Sequence, residues 1–592
     1  MLPQSFVAVF SLSFAATASA GVTVLFQNDG NWTSHAEKPS ALLVSSSGDA
    51  AADCTSYGES LLACDEVQDF YEQLNYQKFI GSIPEDGLVW SGCNQSAAAN
   101  DSGLQYTLCT NSAPIVDKVG PDFSIFPHVN ASANGTTFEG LRDHMAFRFM
   151  GIPFAQPPIG DLRFKYAQPW TGSFVNATQY SASCMQFGSY NGNSLGLNPW
   201  GNSEDCLYLN VFTPEVPDAD DTGALKPVLF WIHGGASTSG TGTDGNFDGA
   251  SLASRSDVVV VTINYRLNIF GYLSLDDEAI PGNYALSDKI AALQWVQDYI
   301  TAFGGNPNNV TIFGQSAGGG SVVDLITSPR AEGLFDGAII QSGSKGWTKT
   351  QSAVAASIEP YIEPLQAVNS VNLMLGFMPE EGQSLVYTAL APNLTSFREG
   401  LDALGPVSGG SFTEELATAI LDSGLWVVGN ETSSNSGATV YPDAYNASIS
   451  SMWVYNMERA YALPWYNPYG LCSFPVGQPD TPYYRCHSGD LFEVFGTYYL
   501  FDQPVRVPED IYYTNAVQDM WAAFARTGNP NVDPEYLKVR GYDSTIDLFS
   551  NWQWPEFSTW SPRVASLQYP ESSYTTLPEQ QHCDVLLPYL SS

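Results

Sequence analysis

Apolar residues gather in short unbroken runs through much of the chain. Val228-Leu229-Phe230-Trp231-Ile232 leads into Gly234-Gly235, and Val258 to Asn264 is a second run. Neither alternates with polar positions, which is the pattern of strands buried on both faces. Between Asp288 and Phe303 the period changes: Ile290, Leu293, Val296 and Ile300 recur at helical spacing. Strand-like runs return at Asn309–Phe313, Gly337–Gln341, Val371–Phe377 and Met452–Asn456. Strand, helix and strand at this pitch predict an α/β fold, a mostly parallel central sheet flanked by helices. Residues 21–112 differ. They are rich in Ser, Ala and Asp, show few strong strands and hold four cysteines. They read as an N-terminal extension or a small disulfide-held cap, and residues 113–592 as one large α/β domain without internal repeats. Large α/β enzymes often exceed the usual length of about 150 residues per domain.

The first twenty residues carry a different signal. Phe6 to Ala18 is apolar and ends in Ala18-Ser19-Ala20 before Gly21, which predicts a cleaved signal peptide over residues 1–20. No later stretch approaches the ~18 uninterrupted apolar residues of a membrane span. Ten Asn-x-Ser/Thr sites, at Asn31, Asn94, Asn100, Asn130, Asn134, Asn176, Asn309, Asn393, Asn430 and Asn446, agree with export. The nine cysteines cluster as Cys54, Cys64, Cys93 and Cys109, then Cys184 and Cys206, then Cys472 and Cys486, with Cys583 last. No Cys-x-x-Cys pair and no zinc-finger spacing occurs, so no metal site is expected. In an oxidising compartment the economical reading is local disulfides with one cysteine left over. The first four can pair in three ways.

Composition narrows the partners. Lys and Arg total 22 against 61 Asp and Glu, a net charge of -39. Such a surface repels phosphate backbones and anionic head groups, which excludes nucleic acid as a partner and disfavours stable membrane insertion. With 44% apolar and only 14% charged residues the chain is not a disordered one.

The run Asn309–Phe313 passes straight into Gly314-Gln315-Ser316-Ala317-Gly318, and Ser321 to Thr327 reads as a helix. G-x-S-x-G between a strand and a helix is a nucleophile elbow, whose glycines permit the sharp turn that lifts the serine hydroxyl above the sheet. A serine needs a base, and in this architecture the order is Ser, acid, His. Only His487 and His582 follow Ser316. His582 lies near the C-terminus, where a mobile tail is expected. His487 closes a loop bounded by Cys472 and Cys486, and a disulfide there would restrain it. His487 is therefore the candidate base. For the acid, Glu380 and Glu381 follow the strand Val371–Phe377 on a short loop, and spacing alone does not choose between them. A carbonyl turning tetrahedral also needs N–H donors. His233-Gly234-Gly235-Ala236, directly after Ile232, supplies a small-residue loop for this, and Ala317 adds its own N–H.

These residues resemble the type-B carboxylesterase/lipase family, the cholinesterase-like branch of the α/β-hydrolases, over about residues 114–592. Gly151-Ile152-Pro153-Phe154-Ala155-Gln156-Pro157-Pro158, with Gly160 and Leu162-Arg163-Phe164, looks like its N-terminal signature. Glu204-Asp205-Cys206-Leu207-Tyr208-Leu209-Asn210-Val211 is similar to its second, and Gly304-Gly305-Asn306-Pro307 through Gly320 to its serine signature. The resemblance implies a carboxylic-ester hydrolase with the α/β-hydrolase fold and no cofactor. It implies Ser316, Glu381 and His487 as a triad, the acidic-Glu-Gly pattern favouring Glu381, and His487 through Gly496 matching the His segment. Oxyanion donors Gly235, Ala236 and Ala317 and a Cys184–Cys206 disulfide are implied as well. The chain departs from the family in four places. Ala236 stands where a third Gly is usual, and the stretch between Gln341 and Val371 is short. The N-terminal extension lies outside the usual pattern. Gln315 stands where cholinesterases carry an acidic residue, which disfavours selection of a choline cation.

The stretch between Cys184 and Cys206 holds Phe187, Leu195, Leu197 and Trp200 and could serve as an apolar lid. It is shorter than the lids of the family's true lipases. The expectation is a secreted esterase of soluble or medium-chain esters, taking a small-molecule or lipid ester. A triacylglycerol lipase is the alternative, and a non-catalytic adhesion protein on this fold a third reading.

Overall fold

Val259–Ile263 reads Val-Val-Val-Thr-Ile and is buried throughout, as is Lys226–Ile232. Branched side chains packed on both faces favour extended backbone, and these two strands sit side by side in the middle of a 13-stranded sheet. The computed structural model describes residues 21–84, 87–93, 105–186, 200–218, 224–275, 280–343, 369–378, 449–463, 472–478, 485–558 and 561–575. Seven neighbouring strands run parallel: Val259–Ile263, Lys226–Ile232, Gly305–Gln315, Gly337–Gln341, Val371–Phe377, Ile449–Met457 and Val564–Leu567. Past Val259–Ile263 the sheet turns antiparallel through Tyr208–Thr213, Phe147–Pro153, Thr136–Arg142 and His128–Ala133.

Helices cover this sheet. Tyr284–Tyr299 buries Leu293, Trp295 and Val296, and Trp295 meets Phe138 of the sheet edge to face. Pro508–Thr527 starts on a proline, whose missing N–H costs nothing in a first turn, and stops at Gly528, whose φ of +70° suits only glycine well. Among the described residues no helix is long and apolar enough to cross a membrane.

Two of the boundaries that differ from the pattern reading belong to the elements either side of Ser316. The strand expected over Asn309–Phe313 begins at Gly305, because polar Asn306 and Asn308 mask an irregular start that still pairs with Lys226. The helix expected from Ser321 begins at Ala317. Three consecutive glycines lower its intrinsic propensity, and packing against the sheet overrides them.

The N-terminal stretch holds more regular structure than its composition suggests. Val22–Phe26, Ser40–Ser45, Leu88–Trp90 and Gln105–Thr110 join Glu215–Val216 in a five-stranded sheet. Glu215–Val216 belongs to the larger part of the chain, so the two sheets are stitched together by backbone pairing with Val22 and Thr23. Alternation sorts the side chains. Val22, Val24, Phe26, Leu42 and Val44 join the main core, while Leu25, Ala41, Leu43 and Leu108 form a second, smaller cluster with Phe70 and Ile83. Disulfides Cys54–Cys109 and Cys64–Cys93 resolve the pairing of the first four cysteines, and Cys184–Cys206 and Cys472–Cys486 lie elsewhere. Cys583 lies outside the described residues.

Candidate active site

The strand Gly305–Gln315 ends at Ser316, and the helix Ala317–Ile326 starts on the next residue. Ser316 has φ 58° and ψ −123°, a sparsely populated backbone geometry for a residue with a side chain. Its surroundings enforce this. A Cβ on Gly318 would lie 2.0 Å from the Ile232 carbonyl oxygen, and one on Gly314 would lie 2.6 Å from the Gly318 carbonyl carbon. No other residue fits there, so strand and helix approach closely with the serine pinched out between them. The Ser316 N–H donates to the Gln341 carbonyl at 2.8 Å, fixing the elbow to the neighbouring strand.

The loop after Lys226–Ile232 runs beside this elbow. Ile232 pairs with Gly314, and a Cβ on Gly234 would lie 3.1 Å from the Ser316 Cβ. Gly235, Ala236 and Ser237 then adopt positive φ of 106°, 53° and 60° in succession. The Gly235 carbonyl turns inward and accepts from the Thr238 and Ser239 N–H groups, both at 3.0 Å. Three successive positive φ values are costly for side-chain-bearing residues and persist only where the surroundings hold them. His233 anchors the loop from beneath. Its ring stacks on Tyr265 at 4.4 Å, and the Tyr265 hydroxyl donates to the His233 carbonyl at 2.8 Å. Burial pushes the His233 imidazole down to about 4, so it is a neutral structural residue and no base near neutral pH.

His487 is buried, and its Nε2 lies 3.0 Å from the Gln315 amide nitrogen, one residue before Ser316. That contact has the amide N–H donating to Nε2, which leaves the ring proton on Nδ1. A triad base needs this tautomer, with Nε2 toward the nucleophile and Nδ1–H toward an acid. The Cys472–Cys486 disulfide ends immediately before His487, and the Gly489 N–H donates back to the Cys486 carbonyl at 3.0 Å. The two bonds restrain the backbone on either side of His487.

Glu380 and Glu381 lie outside the described residues. Their strand, Val371–Phe377, pairs in parallel with Gly337–Gln341 on one side and Ile449–Met457 on the other. A Cβ on Gly489 would meet the Met378 Cε at 3.3 Å, so Met378, three positions before Glu381 in sequence, lies against the segment that follows His487. Of the supposed lid, Phe187, Leu195 and Leu197 also lie outside the described residues. Trp200 packs on Tyr180 and Phe123, with ring centroids at 5.6 and 6.3 Å. Among the described residues no cluster of His, Cys, Asp or Glu could hold a metal.

Two contacts at the site escaped pattern reading. Gln315 shows itself in sequence only as an uncharged residue before the serine. Gln341 and Asp490, which join side chains at 2.6 Å, are 149 positions apart. Asp490 was legible only as a member of the segment His487 through Gly496.

Parallel strands bearing a strained serine elbow, with helices packed over the sheet, define an α/β-hydrolase. The carboxylesterase family model matches residues 128–400. The chain is 33% identical to a para-nitrobenzyl esterase of Bacillus subtilis over 446 residues, 67% of this chain and 89% of that one. It is 42% identical to carboxylesterase 1D of Rattus norvegicus over 282 residues, 45% of this chain and 48% of the relative. The solved structure of a thermophilic PNB esterase superposes with a TM-score of 0.58 at 26% identity, covering 78% of this chain and all of that one. The chain belongs to the carboxylesterase family and is a carboxylic-ester hydrolase.

Proposed function

We propose that the protein is a secreted serine esterase working through a Ser316–His487–Glu381 triad and an acyl-enzyme. The observation that carries this reading is the strained Ser316 elbow with the His487 Nε2 held beside its neighbour Gln315. Ser316 Oγ attacks the ester carbonyl while His487 Nε2, whose lone pair must first let go of the Gln315 amide N–H, takes its proton, giving a tetrahedral oxyanion. The N–H groups of Gly235, Ala236 and Ala317 receive that charge. His487 then returns the proton to the leaving alcohol oxygen as the C–O bond breaks. Water, deprotonated by the same imidazole, attacks the acyl-enzyme and releases the carboxylic acid and free serine. Glu381 holds the Nδ1–H and stabilises the imidazolium as it forms. Four disulfides support an oxidising, extracytoplasmic location. A net charge of -39 repels the carboxylate product and favours neutral esters.

The test is turnover of short p-nitrophenyl esters together with covalent labelling by an organophosphate. Turnover by the native protein, lost in Ser316→Ala along with the label, is the expected result. No turnover and no label at Ser316 would sink the reading. A chain-length series from acetate to palmitate, run below and above micelle formation, separates esterase from lipase. A peak at short or medium chains is expected, whereas a jump in rate on micelle formation would make the protein a lipase.

A further inference from the structure

Gln341 ends the strand that lies between the nucleophile's strand and the strand leading to Glu381. It is wholly buried, and both its backbone and its side chain bond to the site's framework. Its backbone carbonyl accepts from the Ser316 N–H at 2.8 Å. Its side-chain Nε2 donates to Asp490 Oδ2 at 2.6 Å, and its Oε1 accepts from Trp521 Nε1 at 3.4 Å. Asp490, itself buried, stands shortly after His487 and opens the helix Leu491–Phe495. The next residue after Gln341, Ser342, donates its N–H to the Gly376 carbonyl at 2.8 Å, tying the same turn to the strand that precedes Glu381.

From this geometry we infer that Gln341 is a positioning residue that sets the Ser316–His487 register through the Gln341–Asp490 hydrogen bond. The inference rests on the triad reading above. Gln341 touches no reacting atom. Its backbone holds the nucleophile, and its side chain holds the loop that carries the base. Serine and imidazole are supplied by segments far apart in sequence, and each is braced by its own local turn. The Gln341 side chain ties those two segments directly, alongside the Gln315–His487 contact. The chemistry demands an amide there. One end must donate to a carboxylate while the other accepts from an indole N–H, and neither an ionised Glu nor Leu can do both. A buried pair at this distance is also strongly directional.

The experiment compares Gln341→Glu, Asp490→Asn and the double variant in steady-state hydrolysis of a p-nitrophenyl ester, with Ser316→Ala and His487→Ala alongside. In Gln341→Glu two carboxyl groups face each other, and kcat falls about 10- to 100-fold, the scale of a misplaced reacting pair, with KM little changed. Asp490→Asn is milder, since the Gln341 amide can still donate to the carbonyl of the introduced side chain. In the double variant the pair is reversed: the new amide at position 490 donates to the new carboxylate at position 341, and kcat returns to within about threefold of wild type. A purely structural role would not produce that rescue. Asp490→Ser covers the case in which Gln341→Glu fails to fold, and its kcat should fall with KM retained. Wild-type kcat in Gln341→Glu or Asp490→Ser, or a double variant no faster than Gln341→Glu, overturns the inference. If Ser316→Ala or His487→Ala keeps full turnover, the triad reading itself falls.

Discussion

The Gln315 amide nitrogen sits 3.0 Å from the Nε2 of His487. The side chain before the nucleophile therefore faces the base, and its charge state acts on the imidazole at contact distance. A carboxylate there would favour the imidazolium, which cannot accept the serine proton. Gln315→Glu is accordingly expected to move the acid limb of the kcat/KM profile about one unit toward higher pH. The same variant should improve choline esters relative to uncharged esters of equal length. A pH profile that superposes on wild type would show that residue 315 does not act on the base.

Gly318 admits no side chain, because its Cβ would stand 2.0 Å from the Ile232 carbonyl oxygen. Gly318→Ala must push the helix Ala317–Ile326 off the strand that carries the oxyanion loop. Overpacking of this kind costs about 1–3 kcal/mol, and the displacement falls between Ser316 and the Gly234–Gly235 turn. Organophosphate labelling of Ser316 should slow by about 100-fold, well beyond the loss of folded protein seen by circular dichroism. Labelling at the wild-type rate in folded Gly318→Ala would mean the elbow tolerates a wider turn.

The central strands were legible because burial on both faces leaves unbroken apolar runs. Gly337–Gln341 and Val371–Phe377 follow their runs to the residue. The elbow was legible because its glycines are sterically required. The N-terminal strands were missed because each is short and Ser- or Thr-laced, and their regularity comes from pairing with Glu215–Val216 and with one another. The Gln341–Asp490 bond could not be read at all, since its partners meet only through sheet order.

His35 lies buried against Phe26 and Tyr499, and among the described residues neither ring nitrogen has a hydrogen-bond partner. Burial, aided by Lys38, pushes it down to about 4. Below an unfolded value of 6.5 the unfolded chain takes up a proton that the native state refuses until about pH 4. Native stability from this group is therefore complete above pH 6.5 and declines as the pH drops toward 4. Burial pushes Asp244 the other way, up to about 7, so it favours the native state as the pH falls and offsets part of this loss. His35→Phe keeps the ring contacts and abolishes the titration. Its gain over wild type in urea unfolding should be roughly 2 kcal/mol larger at about pH 5 than at about pH 7.5. An equal gain at both would assign the acid sensitivity elsewhere.

Trp32 joins the N-terminal stretch to the segment that follows His487. Its indole stacks on Tyr498 at 4.0 Å, and Tyr498 stacks in turn on Phe492 of the helix Leu491–Phe495. The Trp32 N–H donates to the Gln503 carbonyl at 2.9 Å. Nearby, Arg255 pairs with Asp519 and also donates to the Asn28 carbonyl at 2.8 Å, and the Tyr76 hydroxyl donates to Asp257 at 2.7 Å. An independent cap would leave such polar groups to water, whereas here they are satisfied across the junction. The extension should therefore unfold with the rest of the chain in one transition. Trp32→Ala removes a large buried ring and is expected to cost about 3–5 kcal/mol. Esterase activity and intrinsic fluorescence should be lost together at a lower temperature than in wild type. Residues 21–112 melting alone, with hydrolysis surviving to the wild-type temperature, would make the extension a separate module.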